Sequence, residues 1–163
     1  FTGTSVSDGF QAEVYVKIWE RFEVKTGYTY LDVYREVGET KELLPFNPKS
    51  KILTTSGYAP LSNKFHFDMN MHWYGEQRLP DTKSNPEEFQ RPDYSDPYTV
   101  VSAQLTYTFG ALEVYGGCEN IFDFRQLQPI ISWQDPFSPY FDTSSVWGPT
   151  KGREFYLGVR YKL

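Results

Sequence analysis

The stretch Lys64–Tyr74, KFHFDMNMHWY, alternates without a break. Phe65, Phe67, Met69, Met71 and Trp73 fall on one beat, and Lys64, His66, Asp68, Asn70, His72 and Tyr74 on the other. Successive side chains of a strand point to opposite sides, so a period of two marks a β-strand with one apolar and one polar face. A helix would scatter those five apolar residues around its axis. The same beat recurs along the chain, and no amphipathic helical pattern stands beside it.

Six more runs follow the rule. In Phe10–Trp19, Phe10, Ala12, Val14, Val16 and Ile18 oppose Gln11, Glu13, Tyr15, Lys17 and Trp19. After a turn at Glu20-Arg21, Phe22, Val24, Tyr28 and Tyr30 oppose Glu23, Lys25, Gly27 and Thr29. A weaker run, Lys51–Pro60, groups Ile52, Thr54, Ser56 and Tyr58. Further on, Val101, Ala103, Leu105, Tyr107 and Phe109 oppose Ser102, Gln104, Thr106 and Thr108. Leu112, Val114, Gly116 and Cys118 oppose Glu113, Tyr115, Gly117 and Glu119. The last run sets Phe155, Leu157, Val159, Tyr161 and Leu163 against Tyr156, Gly158, Arg160 and Lys162. Charge obeys the beat, for Glu13, Lys17, Asp68, Glu119 and Arg160 all stand opposite the apolar set.

Seven strands result, joined alternately by short turns and long loops. The short turns lie at Glu20-Arg21, around Leu61-Ser62-Asn63 and at Gly110. The long loops run from about 35 to 50, 77 to 97 and 122 to 153, with no regular element expected in the last two. Short turns on one edge and long loops on the other are the form of a transmembrane β-barrel of the outer membrane. The aromatics agree. Phe22, Tyr58, Phe65, Tyr107, Phe109 and Tyr161 gather near the short-turn edge, and Phe10, Tyr30 and Trp73 near the other. From Phe65 to Trp73 is about 27 Å of strand at ~3.3 Å per residue. Tilted by about 40°, this projects to roughly 20 Å, close to the ~25 Å apolar band of such barrels. The alternative is a soluble β-sandwich or lipocalin-like binding module with its apolar face turned inward. It accommodates the alternation but not the strict alternation of loop lengths. Seven is an odd number and leaves two open edges, so the expectation is an antiparallel up-and-down barrel of which this chain forms about the last seven strands, or one piece of a cleaved barrel.

Composition narrows the class. The 163 residues suit one domain or a piece of a larger one, and no signal peptide opens the chain at Phe1. Mean hydropathy is −0.55, and no stretch approaches the ~20 apolar residues of a spanning helix. Aromatics make up 18% of the chain, high for a soluble domain of this size. A net charge of −5 argues against nucleic acid as partner. A single cysteine, Cys118, excludes an internal disulfide and any multi-cysteine metal site, and on the apolar beat it acts as a small apolar residue.

Three stretches resemble the TonB-dependent outer-membrane receptors, in a Bacteroidetes-like form. GFQAEVYVKIWERFEVKTGYTYLD (residues 9–32) is similar to their late paired strands, and GGCENIFDFRQ (116–126) to their penultimate strand. FDTSSVWGPTKGREFYLGVRYKL (141–163) is similar to their final loop and strand, except that the last residue, Leu163, stands where an aromatic is usual. The resemblance implies a 22-stranded barrel with an N-terminal plug, of which residues 1–163 would be the C-terminal segment. The plug and earlier strands would be absent here, and the C-terminus would face the periplasm. It further implies import of a scarce ligand, an iron-siderophore or haem before cobalamin or a glycan. Energy would come from TonB, through the plug and a TonB box outside this chain. Other implied partners are the rest of the same barrel, outer-membrane lipid and a surface lipoprotein.

The candidate sites are few. Exposed aromatics rimmed by acids in the last long loop, Trp133, Asp135, Tyr140 and Trp147, suit ligand capture or docking of a lipoprotein, or else pack loop on loop. Phe89, Arg91, Asp93 and Tyr94 form a lesser group of the same kind. Glu13, Lys17, His66, Asp68, His72, Glu119 and Arg160 are expected to face the lumen, where most would form charge ladders between strands. His66 and His72 stand about 20 Å apart along their strand and cannot share a metal ion. Asn120, Phe122 and Asp123 are expected to stop a strand and fix the loop base. No motif of catalysis or of metal or cofactor binding is present, so no enzyme activity, metal or cofactor is expected.

Overall fold

The computed structural model describes residues 4–38, 40–60 and 64–162. Leu163 and the Leu61-Ser62-Asn63 turn lie outside them. The strands are β1 (Thr4–Ile18), β2 (Phe22–Val37), β3 (Thr40–Leu43), β4 (Ser50–Tyr58), β5 (Phe65–Tyr74), β6 (Tyr98–Phe109), β7 (Leu112–Glu119) and β8 (Glu154–Tyr161). They form one antiparallel sheet in the order β1-β2-β4-β5-β6-β7-β8, with β3 paired to β2 off that path.

Register ties the faces together. One row runs Val16–Val24–Ser56–Met69–Ala103–Cys118–Phe155 across the seven strands of the path, every member on the apolar beat. The next row, Lys17–Glu23–Gly57–Asp68–Gln104–Gly117–Tyr156, lies wholly on the opposite beat. A slip of one residue anywhere would send half of each row to the wrong face. The sheet therefore keeps one continuous apolar face and one polar face.

Nothing in the sheet covers the apolar face. Phe10, Val14, Phe155 and Leu157 stay 59%, 62%, 77% and 80% exposed. A soluble sandwich would lay a second sheet against these residues about 10 Å away. All the described strands instead belong to one sheet, and among the described residues the buried apolar side chains are Leu79, Val101 and Ile131. That excludes the sandwich reading of the alternation.

Three expectations change in detail. The described strands number eight, because β3 forms a small ladder with Tyr34–Val37 within the first long loop. Both β1 and β2 run on beyond the Tyr30–Ser50 pair where β4 begins, and there Arg35 bonds Glu42 at 2.6 Å while Lys41 and Lys49 clasp Asp32 at 2.7 and 3.0 Å. The 77–97 loop contains a short 3-10 turn, Glu87–Phe89. Finally, Trp19 leaves the polar beat. It sits in the β1–β2 turn with φ +51, followed by Glu20 with φ +57, and lines a cleft with Ile18, Phe22 and Tyr58 of the apolar face.

On the polar face the last two strands interlock. Tyr156 lies over Gly117 of β7 and donates to Gln104 of β6 at 3.0 Å, while Tyr115 lies over Gly158 of β8. A Cβ at either glycine would collide with the ring tip. Beside them Glu113 accepts from Arg160 at 3.2 Å and Lys162 at 2.5 Å.

Candidate functional site

At the long-loop end of the polar face, Tyr74 and Tyr98 are direct cross-strand partners. Their rings stack at 4.9 Å, and His72 stacks on Tyr74 at 6.3 Å. Tyr98 in turn stacks on Phe124 at 4.9 Å with the rings parallel to within 1°, and Trp147 tilts against both. Five rings thus run from β5 across β6 into the last loop. Stacked aromatics at these spacings add specific attraction to their buried area.

Polar anchors hold that loop in place. The Gln126 carboxamide is nearly buried and donates to the Ser145 carbonyl at 2.9 Å. Its oxygen accepts from the Trp147 and Gly148 amides at 2.7 and 3.0 Å. Gln77 and Tyr98 donate to the Trp147 carbonyl at 2.9 and 3.3 Å. Asn120, with φ +49, donates to the carbonyls of Phe124 and Lys151 and accepts from the Phe124 amide. Asp123, with φ +56, accepts from the Arg153 amide at 2.8 Å and pairs with Arg125 at 3.0 Å. Both φ values are left-handed, a region that Asn and Asp tolerate best among residues with a side chain. Asn120 and Asp123 therefore do stop β7 and fix the loop base. Hydrogen bonding from the Arg153 amide, then the nearby Arg125, holds the Asp123 carboxyl below its usual range. Bonds from Ser144, then Ser145, do the same for Asp142. In the facing loop Lys83 bonds Asp93 at 2.9 Å, which lowers the carboxyl and raises the amine.

Between the two long loops lies a cavity of about 330 Å³, lined by Leu79, Arg91, Tyr94, Phe124, Arg125 and Trp147 among others. A second, of about 360 Å³, is bounded by Phe89, Arg91, Trp133 and Asp135. Arg91 borders both, and its guanidinium donates to the Gln128 carbonyl at 3.3 Å, which ties one loop to the other. Both volumes fall at the small end of the ~300–1,000 Å³ range of ligand pockets.

The four loop candidates are thus divided. Trp147 belongs to the aromatic column and the first cavity, and Trp133 and Asp135 to the second. Asp135 accepts from the Phe137 amide at 3.1 Å, and Tyr140 stacks on Phe89 at 5.2 Å. Packing of loop on loop and an open aromatic surface coexist, for Trp133 is 59% and Phe137 97% exposed. Four of the seven polar-face candidates sit in close pairs, and only His66 and Asp68 pair with each other. Glu13 meets Lys25 at 3.0 Å, His66 meets Asp68 at 2.9 Å and Arg160 meets Glu113. Lys17 stands opposite Glu23 and Glu119 opposite Glu154. His72 alone of that set joins the column. Among the described residues, no group of three or more His, Cys, Asp or Glu is placed to hold a metal ion.

Tyr74, Tyr98, Phe124 and Gln126 are the residues that pattern reading passed over. Tyr74 and Tyr98 gave one signal, aromatic rings on the polar beat at the ends of strands bordering long loops; Phe124 and Gln126 lie in the loop and gave none.

One continuous apolar face, a polar face with paired charges and loops gathered on one edge define a piece of an outer-membrane type of β-barrel. The profile of the TonB-dependent receptor-like β-barrel family matches residues 2–121, and the chain belongs to that family. No curated protein matches the sequence. Among solved structures, it is similar to the ferripyoverdine receptor of the outer membrane of Pseudomonas aeruginosa, at 18% identity and TM-score 0.68 over 96% of this chain and 19% of that one. It is similar also to the ferric-catecholate import receptor Fiu from E. coli K12, at 18% identity and TM-score 0.63 over 96% of this chain and 21% of that one. The FrpB iron transporter from Neisseria meningitidis shares 12% identity and TM-score 0.65 over 98% of this chain and 24% of its own. The chain therefore spans about a fifth to a quarter of the length of these structures.

Proposed function

We propose that residues 1–163 form the C-terminal segment of a TonB-dependent receptor barrel in the outer membrane. In this reading the plug and the earlier strands belong to the rest of the same protein. The apolar face meets lipid, the polar face lines the lumen, and the C-terminus faces the periplasm. The ligand is an iron complex, a ferric siderophore or haem, with cobalamin or a glycan as the alternatives. TonB acts through the plug, and the barrel segment contributes binding and architecture, with no chemistry of its own.

The observation that carries the choice of ligand is the aromatic column ending in a cavity bordered by Arg91 and Arg125. Ring faces at the mouth suit a flat or aromatic ligand, and guanidinium groups suit an anionic one. Relatives named for ferric ligands support the same choice. The test is equilibrium binding of a ferric catecholate to the full-length protein, read by tryptophan quenching. Trp147→Ala and Arg91→Ala should each weaken binding about tenfold or more, the behaviour of a buried anchor at the centre of a contact. Unchanged affinity in both would refute the placement. The exposed pair Trp133 and Phe137 favours a second role for the loop tip, docking of a surface lipoprotein.

A further inference from the structure

The β1–β2 turn is built against local preference. Trp19 and Glu20 both hold φ above +50°, the signature of a type I′ turn, and the Arg21 amide closes it on the Ile18 carbonyl at 3.2 Å. Such positions favour Asn-Gly, and a bulky residue there is an outlier that calls for a reason. Packing within the sheet does not supply one, because the Trp19 indole is 87% exposed.

Placement supplies it instead. On the regular beat Trp19 would follow Lys17 to the polar face. The left-handed turn swings it to the other side, into a cleft with Ile18, Phe22 and Tyr58. Those three are cross-strand neighbours in one row of the apolar face. Arg21 completes the cleft, so a cation and an amphipathic ring stand together where the apolar surface ends. An indole gains most where one edge is apolar and the other wet. A guanidinium there complements a phosphate.

We propose that this cleft is a binding site for an anionic phospholipid. The phosphate sits on Arg21, the indole of Trp19 lies at headgroup depth, and an acyl chain follows Ile18, Phe22 and Tyr58. Glu20 shares the turn and opposes the headgroup charge, so it tunes the site rather than forming it. The inference rests on the membrane reading above, since only a lipid-facing sheet presents this row to an acyl chain.

Native mass spectrometry of the full-length protein, in micelles doped with equimolar phosphatidylglycerol and phosphatidylcholine, tests it. The wild type should retain phosphatidylglycerol in preference. Arg21→Gln should lower that preference about fivefold, the effect of removing one cation near an anionic surface. Trp19→Gly suits the left-handed backbone, so the turn should hold while retention of both lipids falls. Glu20→Gln should raise the preference. Equal retention of the two lipids by the wild type, or unaltered preference in Arg21→Gln, overturns the site. A full-length protein that is monodisperse and folded in buffer without detergent overturns the membrane reading itself, a separate result.

Discussion

Met69 is the residue on which the sidedness of the sheet is best tested. It stands four residues from Phe65 and four from Trp73, so about 13 Å of strand separates it from either aromatic. With the strands tilted by about 40°, that is roughly 10 Å in depth on each side, which puts Met69 near the middle of the apolar band. Its cross-strand neighbours are Ser56 and Ala103, too small to shield a new side chain and without a counter-charge for it. Met69→Arg should therefore destabilise the full-length protein by about 2–4 kcal/mol, the cost of a cation at the bilayer midplane. That is about 30-fold to several hundred-fold in the unfolding equilibrium. Asn70 points the other way, is exposed and pairs with Thr55 and Ser102. Asn70→Arg should stay within about 0.5 kcal/mol of the wild type, as surface substitutions do. Urea unfolding in lipid vesicles, followed by tryptophan emission, measures both. Equal losses in the two variants, or a larger loss in Asn70→Arg, would refute the assignment of the faces.

The loop anchor gives a second prediction. Gln126→Leu strands the Trp147 and Gly148 amides and the Ser145 carbonyl, each costing about 1–3 kcal/mol if left buried and unpaired. The loop should relax to avoid that, seen as faster hydrogen exchange at Trp147 and Gly148 with the strands unaffected. At the interlock, Gly158→Ala should destabilise the barrel because its methyl displaces the Tyr115 ring. A cycle with Tyr115→Ala should show a coupling of about 0.5–3 kcal/mol, and strict additivity would argue against the contact. The pH response of the last loop follows from Asp142 and Asp123, whose folded values are depressed by hydrogen bonds. Their contribution is fully present above the ordinary aspartate range and lost as pH falls through the depressed values. Amide exchange at Ser144 and Arg153, corrected for its intrinsic pH dependence, should quicken in that acid window. Asp142→Asn should remove the part of the response at Ser144.

Reading the two beats was enough to place nearly every strand residue on its face. The rows through Met69 and Asp68 cross seven strands and contain no residue from the wrong beat. This follows from geometry, because a period of two is a property of the strand itself and needs no knowledge of the neighbour. Register then copies the assignment from strand to strand, since pairing apolar with polar rows would bury charge or strand it against apolar surface.

The candidate site was legible only in fragments. Trp147 was visible as an aromatic in an acidic loop, but its partners Gln77 and Tyr98 lie 70 and 49 residues away. Loops carry no period, so nothing local ties Phe124 to Tyr98 or Arg91 to the Gln128 carbonyl. Trp19 shows the same limit at a smaller scale. The beat assigned it to the polar face, and two left-handed residues reversed that. By itself, then, the sequence determined the strands, their faces and the edge that carries the loops, because each depends on backbone periodicity alone. The tertiary structure decided β3, the turn that displays Trp19 and the aromatic column beneath the loops, because none of the three follows from a strand's period and the column depends on which distant segments meet.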